Sequence, residues 1–209
     1  MSRIITNSLN VLGVGSSMRE GSYGTRTLRI VLDVIKRYKA ETRLLDLRET
    51  KMPIFNPSSS NGSANDTDIQ KVTELVNWAD AFILASPDYH GSMSGTMKNF
   101  LDHYWEEFAG KTFGYICTSH EKGLTVMDQM RTAVRQCYGW SLPYGISVNA
   151  KEDFNETGEI INELLDKRLK ILARDLVTYG KLIRGQFLQD ISSNVSDTFA
   201  ARYSDNYSF

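Results

Sequence analysis

Five short apolar runs alternate with longer segments of helical periodicity, and that alternation restricts the folds open to this chain. LNVLGV (9–14), TRLLDL (42–47), AFILAS (81–86), TFGYICTS (112–119) and YGISVN (144–149) read as strands. TLRIVLDVIKRY (27–38) carries apolar residues at 28, 31, 32 and 35, one face of a helix. VTELVNWA, GTMKNFLDHYWEEF (95–108), LTVMDQMRTAVRQCY (124–138) and GEIINELLDKRLKILARDLVTYGKLI (158–183) read as further helices. Asp66 or Thr67 is placed to cap the first of these. Strands that are apolar almost throughout are covered on both faces, which predicts a parallel sheet with right-handed crossovers.

Five βα units in succession predict an α/β fold: a flavodoxin-like three-layer sandwich with a five-stranded parallel sheet in the order 2-1-3-4-5. Residues 1–184 form that domain. Residues 185–209 are rich in Ser, Asp and Asn, with Phe187, Phe199, Tyr203, Tyr207 and Phe209 among them. This tail reads either as disordered or as packed on a partner subunit. A net charge of −1 points to neither nucleic acid nor an acidic membrane surface as a partner. No apolar run approaches the roughly 18 residues that span a bilayer. The polar N-terminus does not resemble a signal peptide. Cys117 and Cys137 match no metal spacing and are expected as free thiols of a cytoplasmic protein.

Two loops have a composition suited to a ligand, and both follow strands that flank the switch point of such a sheet. GSSMREGSYGT (15–25) leads from the first strand into the first helix. Amides at a helix N-terminus and the helix dipole favour an anion there. The hydroxyls of Ser16, Ser17, Ser22 and Thr25 and the guanidinium of Arg19 suit a phosphate monoester. The loop lacks the G-x-x-x-x-G-K-[ST] of nucleoside triphosphatases and the third glycine of a dinucleotide fingerprint. Asp46 stands too far along the chain to be that fingerprint's ribose ligand. ASPDYHGSMSGTMKNF (85–100) follows the third strand. Its Gly and Ser residues let backbone amides approach a flat polar ring.

PDYHGSMSGTMKNFLDHYW resembles the P-E-Y-N-G-S-x-P-G-x-L-K-N-x-x-D-W signature of the NADPH-dependent FMN reductase family, a flavodoxin-like group that includes azo-, chromate- and quinone-reducing flavoproteins. The first loop resembles the family's G-S-x-R-x-G-S phosphate loop with one residue inserted between Ser16 and Arg19. DFNETGEIINELLDKRL resembles its Asp/Gly turn and last helix. The likeness covers about residues 9–183. Asp88, His90 and Ser94 stand where Glu, Asn and Pro are commoner. The resemblance implies that Ser16, Arg19, Ser22, Tyr23 and Thr25 hold the FMN phosphate. It implies that Pro87, Asp88, Tyr89, His90, Gly91 and Ser92 surround the isoalloxazine, with Ser119 and His120 near its far edge.

The same resemblance implies an NAD(P)H-dependent reductase. A hydride passes from NADPH or NADH to FMN, and electrons then pass to a small acceptor such as free flavin, a quinone, an azo compound or chromate. No side chain is asked for acid–base work, because the chemistry belongs to the cofactor. A homodimer or homotetramer is expected, with the aromatics of the third helix (His103, Tyr104, Trp105) as packing or subunit-contact residues. Two other readings are an electron carrier of the flavodoxin type, against which the near-neutral charge counts, and a flavin or redox sensor without turnover. QCYGWSLPYG (136–145) reads as a packed turn and KEDFNETGE (151–159) as a solvated loop.

Overall fold

A computed structural model of the chain describes residues 8–58, 67–193 and 195–206. Four full-length strands, β1 (Leu9–Gly15), β2 (Ala40–Asp46), β3 (Ala81–Pro87) and β4 (Thr112–Thr118), pair in parallel in the order β2-β1-β3-β4. The fifth position is shared by two short strands, β5 (Trp140–Ser141) and β6 (Ile146–Val148), which pair with opposite ends of β4. The expected order 2-1-3-4-5 therefore holds, with its last strand interrupted. The interruption falls on Leu142–Gly145, where Pro143 has no amide to give to a ladder. The region 136–145 expected as a packed turn thus contains two strand residues.

Side chains alternate across each strand and supply two cores. Leu9 and Val11 of β1, Ala81, Ile83 and Ala85 of β3, and Ile116 of β4 face α1 (Tyr23–Lys36) and α6 (Glu163–Ser192). Leu12, Val14, Phe82, Leu84, Phe113, Tyr115 and Cys117 face the other layer. That layer is α2 (Thr67–Trp78), α3 (Gly95–Asp102) and α4 (Leu124–Gln136). Gly13 is required by close approach, since a Cβ there would meet the Leu28 and Leu32 side chains of α1 at 2.9 Å.

Several elements differ from the sequence reading. Helix α1 starts at Tyr23, so Tyr23 and Thr25 lie in its first turn rather than in the loop before it. Thr67 is the first residue of α2, and Asp66 lies outside the described residues. Helix α3 ends at Asp102, and a short 3-10 turn (Glu106–Phe108) follows. The charged loop 151–159 is built in: Ala150–Asp153 is a short helix, α5, and Asp153 and Phe154 are buried. Asp153 accepts hydrogen bonds from the Asn149 amide (2.7 Å) and from Asn162 Nδ2 (2.7 Å), and Asn162 caps α6.

Helix α6 continues to Ser192, so the boundary set after residue 184 falls within it. Arg184 is buried and donates from Nε to Asp80 Oδ1 at 3.2 Å; Asp80 Oδ2 in turn accepts from the Asn10 amide. A second 3-10 turn (Ala200–Asn206) folds back, and Phe187, Ile191, Ala200 and Tyr203 bury themselves with Ala109. The described part of the tail thus packs on its own chain, because its aromatics find a ready surface there. Phe199 and Tyr203 both reach the Tyr138 ring, at 5.3 and 6.2 Å. Tyr207 and Phe209 lie outside the described residues.

Gly110 has φ +67, and a Cβ there would lie 2.2 Å from the Phe187 ring. Gly110→Ala is expected to lower stability by about 2–4 kcal/mol, combining left-handed backbone strain with overpacking. Urea unfolding measures it, and an unchanged midpoint would contradict the packing of Phe187.

Candidate functional site

Strands β1 and β3 are neighbours, so the loops leaving their C-terminal ends emerge side by side. The two loops are fastened together beneath the surface by hydroxyl groups. Ser16 Oγ donates to the Ala85 carbonyl at 3.1 Å and accepts from Ser94 Oγ at 2.8 Å. Thr96 Oγ1 donates to the Ser16 carbonyl at 2.6 Å. Ser94 Oγ also accepts from the Met97 amide and so caps α3. Ser16 is fully buried by these contacts.

Above this knot lies a cavity of about 160 Å3, lined by Ser17, Arg19, Ser22, Tyr23, Pro87, Asp88, Tyr89, Thr118, Ser119, His120 and Ala150. The structure therefore brings together eight of the residues expected at the site: Arg19, Ser22, Tyr23, Pro87, Asp88, Tyr89, Ser119 and His120. Ser16 is not on the wall; it belongs to the knot. Thr25 is buried beside Gly15, and its amide donates to Ser22 Oγ, the N-cap of α1. His90, Gly91 and Ser92 form the tip of the second loop outside the lining.

That tip is a tight hairpin. Tyr89 and Ser92 exchange two backbone hydrogen bonds (3.0 and 3.2 Å) across His90 and Gly91, whose φ values are +57 and +76. Two successive positive φ angles define the turn whose twist suits a hairpin. Asp88 braces it: Oδ1 accepts from the Gly91 amide at 2.8 Å and Oδ2 from Ser119 Oγ at 3.0 Å. The Asp88 amide donates to the Thr118 carbonyl. Four of the five amides from 88 to 92 are thus paired within the chain, which leaves fewer main-chain donors for a ring than the loop's composition suggests. Among the described residues, the His90 amide is the one that keeps no such partner.

Ser17, Thr118 and Ala150 line the cavity without having been carried over from the family pattern. Ser17 was visible as one more hydroxyl of the first loop. Thr118 is the last residue of β4, and its Oγ1 is buried without a hydrogen-bond partner among the described residues. It stands where the N-terminus of α1 comes closest, since a Cβ on Gly24 would lie 2.8 Å from it. Ala150 comes from the 149–162 segment. That segment is held against α1 by Arg26, which donates to the Thr157 carbonyl at 3.0 Å, and by the Tyr23–Phe154 ring contact at 4.9 Å.

A doubly wound α/β sheet with a crevice between the loops of two neighbouring strands is the architecture in which ligands are generally bound at the switch point. The chain belongs to the NADPH-dependent FMN reductase family, whose pattern matches residues 9–153. Membership makes it an oxidoreductase that works with FMN and NADPH. It is 25% identical over 177 residues to an NAD(P)H-dependent FAD/FMN reductase of Geobacillus thermodenitrificans, covering 81% of this chain and 92% of that protein. It is 26% identical over 178 residues to an FMN-dependent NADPH-azoreductase of Staphylococcus saprophyticus, covering 80% and 93%. Among solved structures, the flavoenzyme NAD(P)H:(acceptor) oxidoreductase of Paracoccus denitrificans superposes with a TM-score of 0.68 at 19% identity, over 84% of this chain and 98% of that one. No helix among the described residues is long and apolar enough to cross a membrane.

The aromatic residues after α3 have local partners. His103 Nε2 meets the Pro53 carbonyl at 3.0 Å and its ring packs edge-on against Phe55. Tyr104 is buried and Trp105 stacks on Tyr138. Cys117 lies buried under Gly123 and close to Asp88, and Cys137 is half-buried; both are free thiols. Burial, with a smaller contribution from the Asp88 charge, pushes the Cys117 thiol from 9.0 up to about 12. The protonated form is the one the fold favours. Its contribution to stability is therefore complete below pH 9.0 and is lost as the pH rises towards 12. Native protein at pH 8 is expected to resist alkylation at Cys117, while unfolded protein reacts; mass spectrometry of iodoacetamide-treated samples distinguishes the two.

Proposed function

We propose that this cavity seats FMN with its phosphate on the first loop and its ring against the second, and that the enzyme uses NAD(P)H to reduce a small acceptor. The observation that carries the reading is the pairing of an anion-suited helix N-terminus with the braced hairpin across one cavity, with the unpartnered Thr118 hydroxyl in the wall between them. FMN, when bound, supplies the ring that takes a hydride from the nicotinamide and passes electrons on.

The chain's own contribution is binding and orientation. The first-turn amides of Tyr23 and Gly24 have no carbonyl four residues back within α1, so they and Arg19 are available to a phosphate. Ser17 and Ser22 add hydroxyls beside them. Thr118 Oγ1, buried in the wall without a partner among the described residues, would be free to hydrogen-bond the bound cofactor. Tyr89, about two-fifths exposed, offers an aromatic wall at the mouth. Both oxygens of Asp88 accept hydrogen bonds that keep the hairpin in shape. A volume of about 160 Å3 is smaller than the roughly 300–1,000 Å3 that encloses a drug-sized ligand. A cavity of this size would enclose only part of FMN and would leave room at its mouth for a nicotinamide and an acceptor.

Azo compounds, quinones, chromate and free flavin are the acceptors proposed, the first supported by the azoreductase names among the relatives. Arg19 is exposed, so Arg19→Ala is expected to cost about 1.5 kcal/mol of FMN affinity, the low end for a charge-assisted contact and roughly tenfold in Kd. Flavin fluorescence titration measures it, and an unaltered Kd would remove the phosphate from this loop. Steady-state NADPH oxidation with an azo dye or quinone is expected to be catalytic in the FMN-loaded protein. A yellow protein that oxidises no NADPH would identify a carrier or a sensor instead.

The proposal includes a homodimer or homotetramer. Leu164, Ile171 and Leu182 stand exposed along one side of α6 and give such an assembly an apolar surface. Sedimentation of the purified protein at micromolar concentration is expected to give more than a monomer's mass, and a lone monomer would refute it.

A further inference from the structure

We propose that Gln129 is a positioning residue for the cofactor ring: it holds the His90–Gly91 hairpin in the form against which the ring is seated. The inference rests on the FMN reading above. Helix α4 is fixed on the sheet by Val126, Met127, Met130 and Val134, all buried. From that platform the Gln129 carboxamide reaches the second loop. Its Oε1 accepts from the Met93 amide at 3.0 Å. Its Nε2 donates to the Gly91 carbonyl at 3.4 Å and to Ser92 Oγ at 3.3 Å. The Met93 amide can only donate, which fixes the orientation of the carboxamide.

These contacts fall on three consecutive residues, Gly91, Ser92 and Met93, the first of which belongs to the pair with positive φ. A histidine in the left-handed region persists only where its surroundings hold it. Here the hairpin is gripped from two sides. Asp88 takes the Gly91 amide from the cavity side, and Gln129 takes the Gly91 carbonyl from α4. Gln129 does not line the cavity, so it acts on a ligand only through the turn. With the other four amides paired internally, the direction of the His90 amide is what this grip determines. A residue that fixes one main-chain donor beside a redox ring sets both affinity and reduction potential.

Two variants test it in the full-length protein. Q129L removes all three hydrogen bonds and retains good helix propensity. Q129E keeps an acceptor for the Met93 amide and loses the donors. FMN affinity is read by flavin fluorescence, the ring's surroundings by its visible absorption band, the two-electron midpoint potential by anaerobic titration, and the fold by thermal unfolding. Q129L is expected to raise the FMN Kd roughly tenfold, as the loss of one to two net hydrogen bonds would. It is also expected to shift the absorption band and the midpoint potential, with Q129E between it and the wild type. A Q129L protein with wild-type Kd and potential overturns the proposal, as does a weakened affinity that follows lost stability with band and potential unmoved. Should Q129L fail to fold, Q129E decides on the same criteria. Wild-type protein that binds no FMN overturns the FMN reading itself, and this inference with it, whereas wild-type binding with unaffected variants overturns this inference alone.

Discussion

The buried hydroxyl knot of Ser16, Ser94 and Thr96 sets the distance between the two loops on which everything else at the site is arranged. Ser16 follows directly on β1, Ser94 caps α3 and Thr96 lies in its first turn. Their mutual bonds, and the one to the Ala85 carbonyl, satisfy hydroxyls that would be costly to bury alone. Ser94 replaces the proline usual in the family pattern. Proline at that point can only stiffen the entry to the helix. Serine caps α3 and ties it to β1 with the same oxygen.

A carboxylate at a cavity wall invites a catalytic role, but Asp88 is fully employed as a brace. One oxygen keeps the hairpin closed and the other holds Ser119 at the end of β4. The hairpin is thus braced within the chain itself, and preorganised donors lower the cost of ordering on binding. The polypeptide supplies shape and fixed dipoles, and the redox chemistry comes with FMN.

The sheet order and the placement of both loops are legible in the sequence because they depend on local periodicity: apolar strands, amphipathic helices and Gly/Ser-rich connections after the first and third strands. What is illegible depends on partners far along the chain. Ser16 reads as a phosphate ligand until Ser94, 78 residues away, is seen to take its hydroxyl. Gln129 lies in an ordinary amphipathic helix, and nothing nearby in sequence shows that its carboxamide reaches Met93, 36 residues away. The 151–159 segment looks solvated because its charges dominate, yet Asp153 is buried by the two asparagines it serves. The tail reads as disordered or as packed on a partner subunit, but Phe187 and Tyr203 need only the small surface around Ala109 of their own chain. Thr118 carries no signal in composition; its hydroxyl matters because α1 passes so close.

The broken outer strand has a further consequence. A sheet rim with an unbroken row of amide and carbonyl groups is a template on which foreign strands can grow. Here the outermost rung offers two residues, then a proline-bearing gap, then three. A stranger pairing with Trp140 and Ser141 would lose its register before reaching Ile146. The molecule is thereby guarded against fibrous self-association along this edge of its sheet.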